Sequence, residues 1–193
     1  MKLPPTIETA RLIIRRHLLE DLEPFTEFMT DEEATRFLDF EPEQKTPEGV
    51  RDLLDFILAS YETKDPVFAL AVIDKETGAF VGSCGLSPLT NDEGVECYYS
   101  LLPKYWGWGF ATEASLGMLY YAFEELALPR VVAHMSEENT KAWRVALNLG
   151  MRDKGPCDYK GMPGCRRFEI AIGDWNRMMS SRAGQNAQPH DAG

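Results

Sequence analysis

Basic residues are scarce in this 193-residue chain: 20 Lys and Arg stand against 31 Asp and Glu, a net charge of −11. Nucleic-acid binding needs a basic footprint, so the balance points away from it. It is compatible with a cationic partner such as an amine or a basic peptide, and equally with surface acid that only keeps the chain in solution, so charge alone decides little. Long apolar runs are also missing. Nothing approaches the roughly 18 residues that a membrane helix needs, which sets a membrane protein aside. The opening residues, MKLPPTIETARL, hold no apolar segment of a signal peptide. The four cysteines (84, 97, 157, 165) have neither CxxC nor metal-ligand spacing. Reduced thiols in a cytoplasmic protein, with no metal, are the expectation.

What is present suits one folded domain. Hydrophobic residues make up 44% and aromatics 11% of the chain, enough for a real core. No internal repeat and no linker divides it. RLIIRR (11–16) reads as a strand, and LEDLEPFTEFM (19–29) and DEEATRFL (31–38) as short helices. Thr46-Pro47 is a helix start, followed by Val50, Leu53, Leu54, Ile57, Leu58 and Tyr61 at helical spacing. The period then changes. Strands at 67–74, 79–89 and 95–102, with turns at 75–78 and 90–94, form an antiparallel meander. A helix from 110 to 126, a strand at 130–135, a helix from 139 to 149 closed by Gly150, and a hairpin over 151–158 and 165–172 complete the domain. From residue 176 the chain is polar and small, a flexible tail. Strands joined by crossover helices imply an α/β domain with a mixed sheet.

The stretch YWGWGFATEA (105–114) does not read as ordinary core. A strand runs into Gly107-Trp108-Gly109 and a helix begins within two residues. Unpaired N–H groups and the positive dipole end lie at such a start. Glycine lets a backbone approach a ligand without a Cβ in the way. Together these features suit a pyrophosphate cradle. No Gly-Lys-Ser/Thr follows, so it is no P-loop, and Thr112 stands where a dinucleotide fingerprint needs its third glycine. A tight turn without a ligand remains the alternative.

The order of blocks around this segment resembles the GNAT superfamily of acyl-CoA N-acyltransferases, and within it the Rim-type (ribosomal-protein N-terminal) acetyltransferases. The resemblance covers about residues 6–175. It rests on TARLIIRRHLLEDLEPFTEFMTDEEATRFL, VGSCGL, VECYYSLLPKYWGWGFATEA, ENTKAWRVALNLGM and FEIAIGDW. It implies a GNAT fold: a mixed, mostly antiparallel sheet of about seven strands flanked by four or five helices. It also implies acetyl-CoA as cosubstrate and an amine acceptor, a peptide N-terminus or small amine, attacked directly in a ternary complex. A monomer or homodimer is expected. Gly107, Gly109 and Ala111 fall on the small positions of the pyrophosphate motif. Trp106, Trp108, Phe110 and Thr112 share the loop and helix start, and Trp106 replaces the superfamily's usual Gln or Arg.

Transfer from a thioester to an amine needs a neutral amine, and free amines titrate near ~8 to ~10.4. A general base is therefore useful, and carbonyl oxygen needs N–H donors as charge develops. The resemblance marks Glu96 as the base; an exposed, ion-paired strand glutamate is the other reading. Alternation places Glu96, Tyr98 and Ser100 on one face of the strand and Cys97, Tyr99 and Leu101 on the other. By resemblance, N–H groups near Leu101 and Leu102 meet the acetyl and pantetheine groups. Asn139 is a good N-cap that also reads as a pantetheine contact. Lys141 and Arg144 are candidates for the coenzyme 3′-phosphate or simply solvated cations, Cys97 reads as core, and His134 as a satisfied sheet histidine. One departure stands out: where many members carry a serine that steadies the leaving thiolate, this chain has Ala142, and no tyrosine occurs from 139 to 149. That departure keeps a second reading open, a non-catalytic or weakly active acyl-CoA-binding module.

Overall fold

A single eight-stranded sheet, in the order β1-β2-β3-β4-β5-β6-β8-β7, organises the computed structural model. Residues 1–89, 94–159 and 164–186 are described, with side chains as far as residue 182. The strands are β1 (Thr6–Glu8), β2 (Leu12–Arg16), β3 (Ala69–Asp74), β4 (Phe80–Pro88), β5 (Val95–Leu101), β6 (Arg130–Ser136), β7 (Arg152–Pro156) and β8 (Cys165–Ala171). The helices are α1 (Leu22–Thr30), α2 (Glu32–Thr35), α3 (Pro47–Ser60), α4 (Phe110–Tyr120), α5 (Thr140–Asn148) and α6 (Ile172–Asn186). This is the mixed α/β GNAT fold, with one strand and one helix more than the sequence pattern suggested. The extra strand, β1, has three residues, too few to show a period.

Local rules account for the helix boundaries. The Thr46 hydroxyl accepts the Gly49 N–H at 3.1 Å, and Pro47 takes the first turn of α3, where no N–H is needed. Val50, Leu54 and Ile57 recur on the buried face of α3. The helix α4 continues through a π-helical turn, Tyr121–Glu125, close to the expected end at 126. The turn at 90–93 lies outside the described residues.

The polar tail expected from residue 176 is instead helical to Asn186. Trp175 anchors it: the side chain is fully buried, stacks on Phe123 at 5.2 Å, and donates its indole N–H to Glu124 at 2.6 Å. One large aromatic at the first turn outweighs a polar composition, because burying such a ring stabilises by about 1.5–3 kcal/mol. Residues 187–193 lie outside the described residues.

All neighbouring strands run antiparallel except β5 and β6. That parallel pair is joined through α4 and registers only at Val95↔Val131 and Glu96↔Val132. Beyond Glu96 the two strands part. A wedge therefore opens in the middle of the sheet, between the C-terminal half of β5 and that of β6. The Tyr99 hydroxyl reaches α5 on one face, and the Ser100 hydroxyl reaches Ala34 of α2 on the other.

Candidate active site

The far end of β5 leads into the glycine loop. Gly107 and Gly109 both have φ of +81°, a left-handed conformation that costs other residues about 1–2 kcal/mol. A Cβ at Gly107 meets nothing within 4 Å, and one at Gly109 only the Arg11 guanidinium at 3.5 Å. Backbone conformation, rather than crowding by the protein, is what asks for glycine. Gly109 caps α4, whose first intrahelical bond is Glu113 N–H to Gly109 C=O at 3.0 Å. Among the described residues, the N–H groups of Gly107, Trp108, Gly109, Phe110, Ala111 and Thr112 have no partner. A row of free donors at a helix start fits an anionic group such as a pyrophosphate.

Trp106 explains its own presence. Its indole N–H donates to the Leu101 C=O at 2.7 Å, latching the loop to the end of β5. Its polar atom faces the protein. Trp108, by contrast, is 67% exposed.

Strand register separates Leu101 from Leu102. The Leu102 N–H donates to the Val81 C=O at 2.9 Å, so it is engaged inside the sheet and the expected donor role is corrected there. Leu101 lies opposite Gly82. In an antiparallel ladder, hydrogen-bonded and non-bonded pairs alternate, so Leu101 turns its N–H away from β4 and into the wedge. Its carbonyl confirms the direction by meeting Trp106.

Across the wedge, the Asn139 side chain accepts the Ala142 N–H at 3.2 Å, the capping role that its position suggested. Ala142 also has a neighbour that the sequence did not reveal. The Tyr99 hydroxyl donates to the Ala142 C=O at 2.9 Å. Burial pushes the Tyr99 phenol well above its usual range, so it stays protonated.

Glu96, at the near end of β5, is not a solvent-exposed glutamate. Its side chain is 15% exposed. One carboxylate oxygen lies 2.9 Å from His134 Nδ1, and the Tyr159 hydroxyl donates to the other. An ionised carboxylate only accepts, so Nδ1 carries the proton. The Tyr159 ring stacks on the His134 ring at 3.8 Å and 11°. Burial, and then the bond to Glu96, raise the Tyr159 phenol, which keeps it a donor. His134 is satisfied, as expected, but its partner is the candidate base itself. Cys97 is buried on the opposite face.

Lys104, next to the loop in sequence, pairs with Glu27 of α1 at 2.7 Å. Arg11, from the start of β2, donates to the Trp108 C=O at 3.0 Å and lies over the Phe110 ring. It also pairs with Glu113, which accepts further bonds from the Thr9 hydroxyl and the Arg11 N–H. Burial alone would raise the Glu113 carboxyl; these donors offset it and hold it below its usual range. Lys141 stands 3.9 Å over the Trp106 ring.

Comparison with known proteins agrees with this geometry. The family model "Acetyltransferase (GNAT) domain" matches residues 11–152, and the chain belongs to that family of acetyltransferases. It is 29% identical over 151 residues to the "Uncharacterized N-acetyltransferase p20" of Bacillus licheniformis, covering 78% of this chain and 84% of that one. Two solved structures share the fold. Spermidine N-acetyltransferase from Vibrio cholerae, in complex with CoA and spermine, has a TM-score of 0.71 at 19% identity, covering 86% of this chain and 99% of that one. Ribosomal-protein-S5-alanine acetyltransferase from Vibrio fischeri has a TM-score of 0.70 at 19% identity, covering 88% and 98%. Among the described residues, no helix is long and apolar enough to cross a membrane.

Proposed function

We propose that this chain is an N-acetyltransferase that moves an acetyl group from acetyl-CoA to a primary amine by direct attack, with Glu96 as general base. The observation that carries the reading is β5 itself. One strand sets a half-enclosed carboxylate at its start, turns the Leu101 N–H into the wedge at its end, and runs straight into six unpartnered N–H groups. The free donors and the left-handed glycines fit the coenzyme.

Acetyl-CoA, when bound, supplies the activated acyl thioester. Gly107 to Thr112 hold its pyrophosphate through backbone N–H groups, and Asn139 contacts its pantetheine arm. The Leu101 N–H donates to the carbonyl oxygen as charge develops there. Glu96 takes the proton of the attacking amine, directly or through a water. His134 and Tyr159 fix the carboxylate. Tyr99 donates its hydroxyl to the Ala142 C=O, and it would serve the departing thiolate only by turning that proton away from the carbonyl. The acceptor is a peptide N-terminus or a small amine; the motif order supports the Rim-type branch, and the net charge of −11 supports a cationic acceptor.

The test measures acetyl-CoA binding by calorimetry and thiol release with a panel of peptide and small amines. Binding followed by amine-dependent thiol release is the expected result. Binding without release from any amine favours the second reading, an acyl-CoA-binding module, which Ala142 motivates. No binding rejects both.

A further inference from the structure

We propose that Cys157 and Cys165 form a thiol–disulfide modification site, closed by exchange with a low-molecular-weight disulfide. Cys165 opens β8, and Cys157 follows β7 directly. The ladder pairs Pro156 with Arg166, so the two cysteines are the next opposed pair. The Cys157 N–H donates to the Cys165 C=O at 2.8 Å, and the two free thiol sulfurs touch at 2.7 Å. Directly opposed residues in an antiparallel pair have Cα atoms about 4.5–5.5 Å apart, inside the span a disulfide bridges. No backbone movement is needed.

The two thiols differ in a way that orders the chemistry. Cys157 is half-buried, whereas Cys165 is 2% exposed. Burial, and then the contact with Cys157, push the Cys165 thiol up to about 12. Cys157 meets the oxidant first. Its thiolate attacks one sulfur of a small disulfide RSSR, a Cys157–S–SR bond forms, and RS⁻ leaves to take up a proton. Cys165 then loses its proton and attacks the Cys157 sulfur. The intramolecular bond forms and a second RS⁻ leaves. Two protein thiols are oxidised and one RSSR is reduced to two RSH. The other cysteines do not compete. Cys84 and Cys97 are fully enclosed in the core, and burial raises both thiols.

The bond would close the segment 158–164, in which Tyr159 lies two residues from Cys157, and Tyr159 holds Glu96. The oxidised form therefore fixes the residue that positions the candidate base. That consequence alone rests on the acetyltransferase reading.

The experiment equilibrates the full chain with oxidised glutathione, quenches with acid, and reads the intact mass and the number of thiols alkylated after denaturation. The expected result is loss of two hydrogens, alkylation of two thiols instead of all four, and a higher thermal midpoint, all reversed by dithiothreitol. Cys165→Ser should stop at the Cys157–glutathione adduct, and Cys157→Ser should stay fully reduced. A wild-type chain with four alkylated thiols, a persistent glutathione adduct, or a disulfide-linked dimer overturns the proposal. These mass readouts do not depend on activity, so they fail separately from the proposed function.

Discussion

The two ends of β5 are built from different materials. At the far end, the loop over 107–112 presents backbone N–H groups, and the side chains that flank it hold it in place: Trp106 to Leu101, Glu113 to Thr9 and Arg11. At the near end, everything that matters is a side chain, with Glu96 held by His134 and Tyr159. A backbone site is specified by conformation, so it tolerates changes of side chain but not of φ. A side-chain site is specified by partners, so it tolerates little chemical change at all. The predictions below break or sharpen that contrast.

The largest effect belongs to the near end. Glu96→Gln keeps the size of the side chain and an acceptor for one partner while removing the base. The fold and coenzyme binding should survive, and kcat at neutral pH should fall by about 10²–10⁴-fold, the usual contribution of a general base. The deficit should shrink as pH rises, because bulk deprotonation then supplies neutral amine. A mutant with wild-type kcat from pH 6 to 9 removes Glu96 from the mechanism. A raised KM with kcat intact makes it a substrate-charge partner instead.

That pH test needs a folded protein, and His17 sets its acid boundary. His17 is 1% exposed, packs against Phe25 at 4.9 Å, and neither ring nitrogen has a hydrogen-bond partner among the described residues. Burial lowers its pKa from 6.5 to about 4, with nearby Asp21 opposing and Arg15 assisting. The unfolded chain takes up this proton first, so stability is full above pH 6.5 and is lost as pH falls from there towards 4. The loss amounts to roughly 3 kcal/mol at 1.36 kcal/mol per pH unit. Urea melts at pH 7 and pH 4.5 should differ accordingly. His17→Phe should flatten most of the difference, and an unchanged slope sinks the assignment.

At the far end, Gly109→Val forces a β-branched residue into a left-handed conformation and puts a side chain at the donor row. Affinity for coenzyme A should fall tenfold or more, about 1.4 kcal/mol, as measured by calorimetry on a mutant whose circular dichroism stays native. Trp108→Ala is the complement: its side chain is largely exposed, its backbone unchanged, and its binding should stay within about twofold, a few tenths of a kcal/mol. The reverse ranking, with Trp108→Ala the weaker binder, refutes the backbone character of this end.

The same contrast decides what was legible in the sequence. Gly107 and Gly109 announce themselves because few backbones need two left-handed residues just before a helix, and the signal is local. Thr46-Pro47 and Gly150 are local in the same way. The near end is scattered: His134 lies 38 residues from Glu96, and Tyr159 lies 63 away. Nothing in either residue's neighbourhood points to the other. Arg11 reaches the loop from 97 residues away, whereas Lys104, next to the loop in sequence, turns towards α1. The helix α6 was hidden by composition, since one buried Trp175 outweighs many exposed polar residues.

Tyr99 tests whether the middle of the strand belongs to the backbone end or the side-chain end. Its hydroxyl meets the Ala142 C=O at 2.9 Å. A leaving thiolate has a reference pKa near ~8.5, low enough to depart without full protonation, so a donor here contributes modestly. Tyr99→Phe deletes the hydroxyl and keeps the ring. The bond to the carbonyl contributes about 0.5–1.5 kcal/mol, and the thermal midpoint should fall slightly whichever role the hydroxyl plays. The discriminating readout is kcat. If the hydroxyl also serves the thiolate, kcat should fall about three- to tenfold, some 0.6–1.4 kcal/mol of transition-state stabilisation, with the amine KM unchanged. A mutant that loses stability but keeps full kcat assigns Tyr99 to the scaffold, and leaves the thiolate to depart with backbone or solvent help alone.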